Sequence, residues 1–257
     1  MTIVPADRFD LAQLAEIFNA AYEGYFVPMH VDEAALAYMV DAWDIDLARS
    51  RVALRDDEPI GIVNLGVRGG RGWIGGLGVV PAERRNGIGR ALMEDVLAAA
   101  PPVVTLEVLE QNDPAIRLYE ELGFTRTRVL EIWSLTADVP AVEARSFEAR
   151  PLGQTGLPWQ RADESLPGEF ERIEVDGAVA LIRVTGPRVG IAQLDARDED
   201  AAAELLAAAR ARGESVHFMN VPETDPASGA FRRLGGTLEL RQFELERDQR
   251  LIPPSVA

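Results

Sequence analysis

No cysteine and no lysine occur anywhere in the 257 residues. The first absence excludes disulfides, thiolate metal ligands and a cysteine nucleophile, and the second excludes Schiff-base chemistry on a lysine amine. Histidine is almost missing as well. His30 and His217 stand alone, too few for a histidine-built metal centre, so no metal is expected. There is no apolar run of about 18 residues, and the opening MTIVPADRFD has neither a basic leader nor an apolar signal core. The expectation is a cytoplasmic protein with no membrane partner. Positive charge is scarce: 42 acidic residues face 26 arginines, a formal net charge of −16, and no basic run is long enough to follow a phosphate backbone. That argues against nucleic acid as a partner. The acidity reads equally as a solubility device or as a pull on a cationic small partner.

What remains is 47% hydrophobic, ample for one large core or two modest ones. Apolar residues at Leu11, Leu14, Ile17, Phe18 and Tyr22 have the spacing of one helical face. Asp32 N-caps a second helix that runs through Leu36 and Met39 to about Trp43, and the aromatic loop YEGYFVPMH lies between the two. Arg51 to Arg55, Ile60 to Val67 and Trp73 to Val80 read as three antiparallel strands joined by DDEP and by the glycine turn RGGRG. A loop, ERRNG, then leads into a helix marked by Ile88, Leu92, Val96 and Leu97 and ended by Pro101. Val103 to Val108 is a strand, Pro114 opens a helix closed by Gly123, and strands around Arg126 to Leu135 finish the half. A helix between Val80 and Val103 demands a parallel, right-handed crossover at the centre of a mixed sheet. The class is α+β.

Residues 136–144, TADVPAVEA, are small, polar and proline-containing, and divide the chain into residues 1–138 and 139–257. Beyond them the element order repeats. Strands at Ile173 to Val175, Ala178 to Val184 and Val189 to Leu194 precede a helix from Glu199 to Arg212, a strand from Ser215 to Val221, a helix starting at Pro226 and closing strands to about Leu245. DPAIRLYEELGF, Asp113 to Phe124, aligns without gaps on DPASGAFRRLGG, Asp225 to Gly236. Two ordinary helices would share some of these positions, because Asp-Pro starts and Gly ends are common punctuation. The matching element order favours a duplication.

VVPAERRNGIGRALMEDVL, Val79 to Leu97, carries the most chemistry. Proline stops a strand, Gly87 and Gly89 free the backbone to approach a ligand, and a helix begins at once, presenting unpaired amides to an anion. Arg84, Arg85 and Arg90 add local positive charge that the acidic bulk of the chain lacks. A pyrophosphate suits this arrangement, although a GxG at a helix start is by itself a weak signal. A dinucleotide fingerprint fits poorly, since the third glycine and the following acidic residue are missing from the expected frame. The pattern Arg84-x-x-Gly87-x-Gly89 after Val-Val-Pro resembles the coenzyme A pyrophosphate loop of GNAT acetyltransferases. Downstream, Asn112-x-x-Ala115-x-x-Leu118-Tyr119-x-x-x-Gly123-Phe124 resembles that family's second signature.

The resemblance implies the GNAT fold in two tandem copies, with acetyl-CoA as cosubstrate in a V-shaped opening between the fourth and fifth strands. Backbone groups at Leu77, Val79 and Val80 would pair with pantetheine, one amide would polarise the thioester carbonyl, and Arg84, Arg85, Asn86, Gly87, Ile88, Gly89 and Arg90 would hold the pyrophosphate. Asn112 would orient pantetheine or the helix start. Tyr119 occupies the family's general-acid position, and a phenol titrating near 10 stays protonated at neutral pH. Many family members carry a glutamate on the fourth strand, but GWIGGLGVV has no acid. The general base is therefore open: Glu107 on the fifth strand leads, with Glu23 and His30 behind it, and Glu107 reads equally as an outward-facing strand residue. The implied reaction is direct acetyl transfer to a primary amine of a small molecule or peptide, with a non-catalytic acyl-CoA sensor or scaffold as the alternative. A homodimer is left open. In the second copy Phe231 stands in the frame of Tyr119, Thr224 in that of Asn112, and DARDEDAAAELL is acidic where the first copy is basic. That copy is expected to be degenerate and to repel pyrophosphate.

Overall fold

A computed structural model describes residues 1–251, and the chain divides into two compact units. Unit 1 holds Met1–Val108, Asn112–Arg126 and the chain from Leu245; unit 2 holds Leu109–Gln111 and Thr127–Glu244. The unit boundaries therefore fall between Val108 and Leu109, between Gln111 and Asn112, and inside two later strands. Those strands are β6 (Thr125–Leu135) and β12 (Thr237–Asp248). The sequence predicts several short strands in each place. TRTRVLEIWSL contains no glycine or proline to break it, so it continues as one ladder.

Unit 1 begins with β1 (Thr2–Pro5), α1 (Leu11–Ala21), α2 (Glu33–Ala42) and the antiparallel strands β2 (Arg51–Arg55), β3 (Glu58–Arg68) and β4 (Arg71–Val79). Next come α3 (Ile88–Ala99), β5 (Val103–Leu109) and α4 (Asp113–Glu121). α3 carries the chain back across the sheet, so β5 pairs with β4 in parallel, from Arg71↔Val103 to Ile74↔Leu106. Asp10 starts α1 through a capping box with Gln13, and the helix buries Leu14, Ile17 and Phe18 on one side. Leu14 and Ile17 pack with Val52, Ile62 and Leu36 of α2 in one core cluster. α3 buries Leu92, Met93 and Val96, and a Cβ placed on Gly61 would meet Leu92, which sets α3 on the face of β3 opposite that of Ile62.

Unit 2 contains β7 (Arg145–Glu148), β8 (Glu171–Val175), β9 (Ala178–Thr185), β10 (Arg188–Ala196), α5 (Glu199–Arg210), β11 (Ser215–Pro222) and α6 (Pro226–Arg233). Its strand order runs from β6 through β11, β10, β9 and β8 to β7. The edge strand β7 has four exposed residues and no buried face, so no alternation marked it in the sequence. α5 presents alanines together with Leu205 and Leu206 to the core formed by Ile182, Ile191 and Phe218.

Both units share one irregularity. In the β3–β4 ladder Asn64 faces Gly76 and Leu65 faces Ile74, so Gly75 is the extra residue of a bulge. In the β9–β10 ladder Ile182 faces Ile191 and Leu181 faces Gln193, so Ala192 is the extra residue. In each unit the parallel pairing ends there, at Ile74↔Leu106 in unit 1 and at Ile191↔Phe218 in unit 2.

Candidate active site

The parting of β4 from β5 begins at the bulge in unit 1. A Cβ on Gly75 would lie 2.4 Å from Cζ3 of Trp73, because the indole folds back over the bulged residue. Val80 N–H donates to Ile60 O of β3 at 3.0 Å. Backbone polar groups alternate in direction along a strand, so those of Leu77 and Val79 turn to the other edge, into the opening. Leu77 and Val79 thus turn their polar groups to the edge for which the resemblance implies pantetheine. Val80 does not: its amide is committed to β3. The carbonyl of Val79 is also engaged, accepting Arg84 Nε at 2.8 Å.

Beyond the opening, Gly87 turns the chain at φ 78° into α3. Asp10, Asp32, Asn112, Asp198 and Asp225 cap α1, α2, α4, α5 and α6 through their side chains. α3 has no side-chain cap and no acid in its first turn. Its leading amides are the unsatisfied donors that a diphosphate would take. A Cβ on Gly89 would meet nothing closer than 3.7 Å, so glycine there is not demanded by packing.

The arginines divide differently from expectation. Arg84 is a clamp: besides Val79 O, its guanidinium donates to the carbonyls of Ala21 at 3.2 Å and Glu23 at 2.5 Å. That ties the end of α1 to the loop and uses the donors expected for phosphate. Arg90 is paired with Glu121 and lies 3.8 Å from Glu94. Arg85 is exposed at φ 66°, and Asn86 donates to Glu83 at 3.3 Å.

On the other flank, Asn112 accepts Ala115 N–H at 3.4 Å and caps α4. Tyr119, one helical face along, is 6% exposed, with its ring 5.9 Å edge-on to Phe124. Burial pushes its phenol above the ordinary tyrosine range, and the neighbouring Tyr25 adds to the shift. Glu107 follows the last paired residue of β5 and accepts the indole N–H of Trp73 at 2.7 Å. It is a partly buried, oriented carboxylate beside the opening, not a solvent-facing strand residue. Glu23 and His30 are exposed, and Glu23 contributes its backbone carbonyl to Arg84.

Two further residues belong to this site. Tyr22 stacks on Phe18 at 4.3 Å and meets Tyr25 edge-on at 5.2 Å. Burial raises both phenols. In the sequence Tyr22 reads as one more apolar position on a helical face, and Tyr25 as part of an aromatic loop. The run of glycines in β4 was the available signal, since side chains on Gly76 and Gly78 would both strike Tyr22.

In unit 2 the corresponding opening is filled by the chain's own residues. Gln193, fully buried, accepts Leu152 N–H at 2.9 Å and donates to Arg161 O at 2.9 Å and Asp163 at 2.6 Å. Gln154 donates to Leu194 O of β10 at 3.1 Å, and Arg161 donates to Asn220 O of β11 at 2.9 Å. Arg161 also lies 4.2 Å over the Phe218 ring, and burial holds its guanidinium down at about 10. Phe231 is fully buried and stacks on Trp133 at 5.7 Å. Met219, in the frame of Glu107, is exposed.

Among the described residues no helix is long and apolar enough to cross a membrane, and no group of three or more acidic or histidine residues could hold a metal ion. A family model described as "Acetyltransferase (GNAT) family" matches residues 11–124. An "N-alpha-acetyltransferase" of Sulfurisphaera tokodaii is 30% identical over 130 residues, which are 47% of this chain and 78% of that protein. A GCN5-related N-acetyltransferase from Sphaerobacter thermophilus has a similar structure, with TM-score 0.66 and 17% identity over 96% of this chain and 95% of that one. So does a tandem GNAT protein from the clavulanic acid biosynthesis pathway, with TM-score 0.61 and 15% identity over 99% of each chain. The fold is two tandem copies of that architecture.

Proposed function

Since the chain belongs to the acetyltransferase (GNAT) family, we propose that unit 1 transfers an acetyl group from acetyl-CoA to a primary amine by direct attack within a ternary complex. The observation that carries this reading is the parting of β4 and β5 beside an uncapped α3, with Glu107 and Tyr119 on its flank. Acetyl-CoA supplies the activated acyl group as its thioester. The α3 amides and Gly87 receive the diphosphate, and the backbone of Leu77 and Val79 pairs with the pantetheine arm as a further strand would. Glu107, held by Trp73, accepts the proton that an ammonium acceptor must lose before it attacks. Tyr119 keeps its proton at working pH because burial raises its pKa, and gives it to the departing thiolate.

The acceptor class is a primary amine on a small molecule or peptide. The α-amine is favoured by the name of the Sulfurisphaera relative, and a cationic acceptor by the charge of −16. Two candidate proton-transfer groups, Glu107 and Tyr119, favour an enzyme over a non-catalytic acyl-CoA sensor. The second unit, its opening filled, serves as support. The test is coenzyme A release followed with a thiol reagent, using a panel of peptides with free N-termini and small amines. Release that requires an amine and collapses in Tyr119→Phe supports the reading. Release at the wild-type rate in that variant removes Tyr119 from the mechanism, and absence of acetyl-CoA binding removes the whole.

A further inference from the structure

β4 carries glycine at 75, 76 and 78, and each has a different reason. Gly75 admits the Trp73 indole, as described above. A Cβ on Gly78 would stand 2.8 Å from the Ala21 Cβ and 3.0 Å from the Tyr22 ring. A Cβ on Gly76 would stand 2.8 Å from the Tyr22 hydroxyl oxygen. The phenol of Tyr22 thus occupies the volume that a side chain from position 76 would fill.

Strand alternation says which face this is. Gly76 faces Asn64 across the ladder, and Gly78 faces Ile62, which belongs to the α1 core. Trp73 pairs with Thr105 in the parallel ladder, and Glu107 lies two residues beyond Thr105, on the Trp73 side, as their hydrogen bond confirms. The Tyr22 hydroxyl, at the end of α1 and over Gly76 of β4, and the Glu107 carboxylate of β5 are therefore on the same face of the sheet.

Next along β4 is Leu77, whose polar groups turn into the opening. The Tyr22 oxygen stands over the residue before it, 2.8 Å from where a Gly76 Cβ would be. Stacking on Phe18 and packing against Gly78 and Ala21 hold the ring in place. A thioester carbonyl that reaches the Leu77 amide must then come within reach of the Tyr22 O–H.

We propose that Tyr22 is a catalytic residue that completes the oxyanion site: its hydroxyl donates to the thioester carbonyl oxygen alongside the Leu77 amide as that oxygen gains negative charge. Two phenols then hold two posts, Tyr22 at the carbonyl oxygen and Tyr119 at the leaving sulfur. Burial raises both, so both remain donors throughout the working pH range. No bond of Tyr22 forms or breaks; its proton stays on the phenol when the tetrahedral carbon collapses and coenzyme A leaves.

This inference rests on the acetyl-transfer reading, and its test reads the carbonyl itself. Acetyl-CoA labelled with carbon-13 at the thioester carbonyl is bound to the full-length protein and to Tyr22→Phe, and the carbonyl stretch is recorded by difference infrared spectroscopy. Phenylalanine keeps the stack on Phe18. In the wild type the band lies below that of free acetyl-CoA, and in Tyr22→Phe it moves back toward the free value. Calorimetric affinity changes by less than about threefold, and the amine-dependent rate at saturation falls about tenfold or more, as removal of an oxyanion donor does. An unchanged band in Tyr22→Phe overturns the proposal, as does a lost affinity with an unchanged saturated rate. A wild type that binds no acetyl-CoA overturns the acetyl-transfer reading first, and the proposal with it. Gly76→Ala is a second variant: its Cβ pushes the Tyr22 hydroxyl aside, and the band shifts as in Tyr22→Phe.

Discussion

Trp73 Nε1 donates to Glu107 Oε2 at 2.7 Å, linking the two strands at the level where they part. The indole is itself fixed, 1% exposed and edge-on to Trp43 at 5.7 Å. A carboxylate so held cannot sample the rotamers of an exposed glutamate, and a general base needs that restriction.

Glu107→Gln keeps an oxygen for the Trp73 indole but cannot accept a proton. Saturated turnover is expected to fall by about 10²–10⁴-fold with the melting temperature nearly unchanged. Trp73→Phe frees the carboxylate and is expected to lower both stability and rate, the rate by less than Glu107→Gln does. Wild-type turnover in Glu107→Gln would place the base elsewhere.

Stability at high pH reports on the buried phenols. Tyr22 and Tyr119 are both raised above the ordinary tyrosine value of about 10. Below that value both are neutral, folded or unfolded, and their contribution is fully present. As pH climbs past it, the unfolded chain releases protons that the folded chain retains, so stability is lost progressively toward the folded values. Melting curves from pH 8 to 11 are expected to be flat and then to fall, with a shallower fall in Tyr119→Phe. An equal slope in that variant would mean that its phenol titrates normally.

Much of this candidate site is legible in the residues alone, and the exceptions share a cause. Tyr119, Asn112 and the Gly87 turn sit inside short motifs whose spacing is local, so the sequence alone names each of them. Glu107 could be named but not oriented, because its partner Trp73 lies on another strand and the hydrogen bond exists only once α3 has brought β5 beside β4. Arg84 misled for the same reason: near glycines an arginine suggests phosphate, while its three carbonyl partners come partly from the end of α1. Tyr22 was hidden by ambiguity, since an amphipathic tyrosine on a helical face looks like core. The strand shared between units was illegible, because no local pattern says which strand a ladder will take as its neighbour.

The two loop glycines are expected to separate strain from binding. Gly87 is at φ 78°, so Gly87→Ala costs about 1 kcal/mol of stability. Gly89 lies inside α3 with no close neighbour, and Gly89→Ala is expected to raise stability by up to about 1 kcal/mol through helix propensity. In the proposed function the α3 amides take the diphosphate, and the added methyl group narrows the approach to them. Acetyl-CoA affinity is expected to fall by roughly tenfold, equivalent to about 1.4 kcal/mol. Unimpaired binding in Gly89→Ala, measured by calorimetry, would move the diphosphate away from this turn.

The filled opening of unit 2 leads to a stoichiometry. Leu194 occupies in β10 the place that Leu77 occupies in β4, two residues past the bulge, and its carbonyl already accepts from Gln154. Gln193 stands where β4 has Gly76, and joins Leu152, Arg161 and Asp163 into one buried network. Pantetheine would have to break these bonds to enter, and no glycine turn precedes α5 to receive its diphosphate. Calorimetric titration is therefore expected to give one acetyl-CoA per chain. Gln193→Ala strips several buried groups of their partners at once and is expected to cost about 2–4 kcal/mol in urea unfolding, while acetyl-CoA affinity stays at the wild-type level. Two sites per chain, or a second site appearing in Gln193→Ala at ordinary ligand concentrations, would show that the filling residues act as a removable lid on a competent site and not as its permanent occupant.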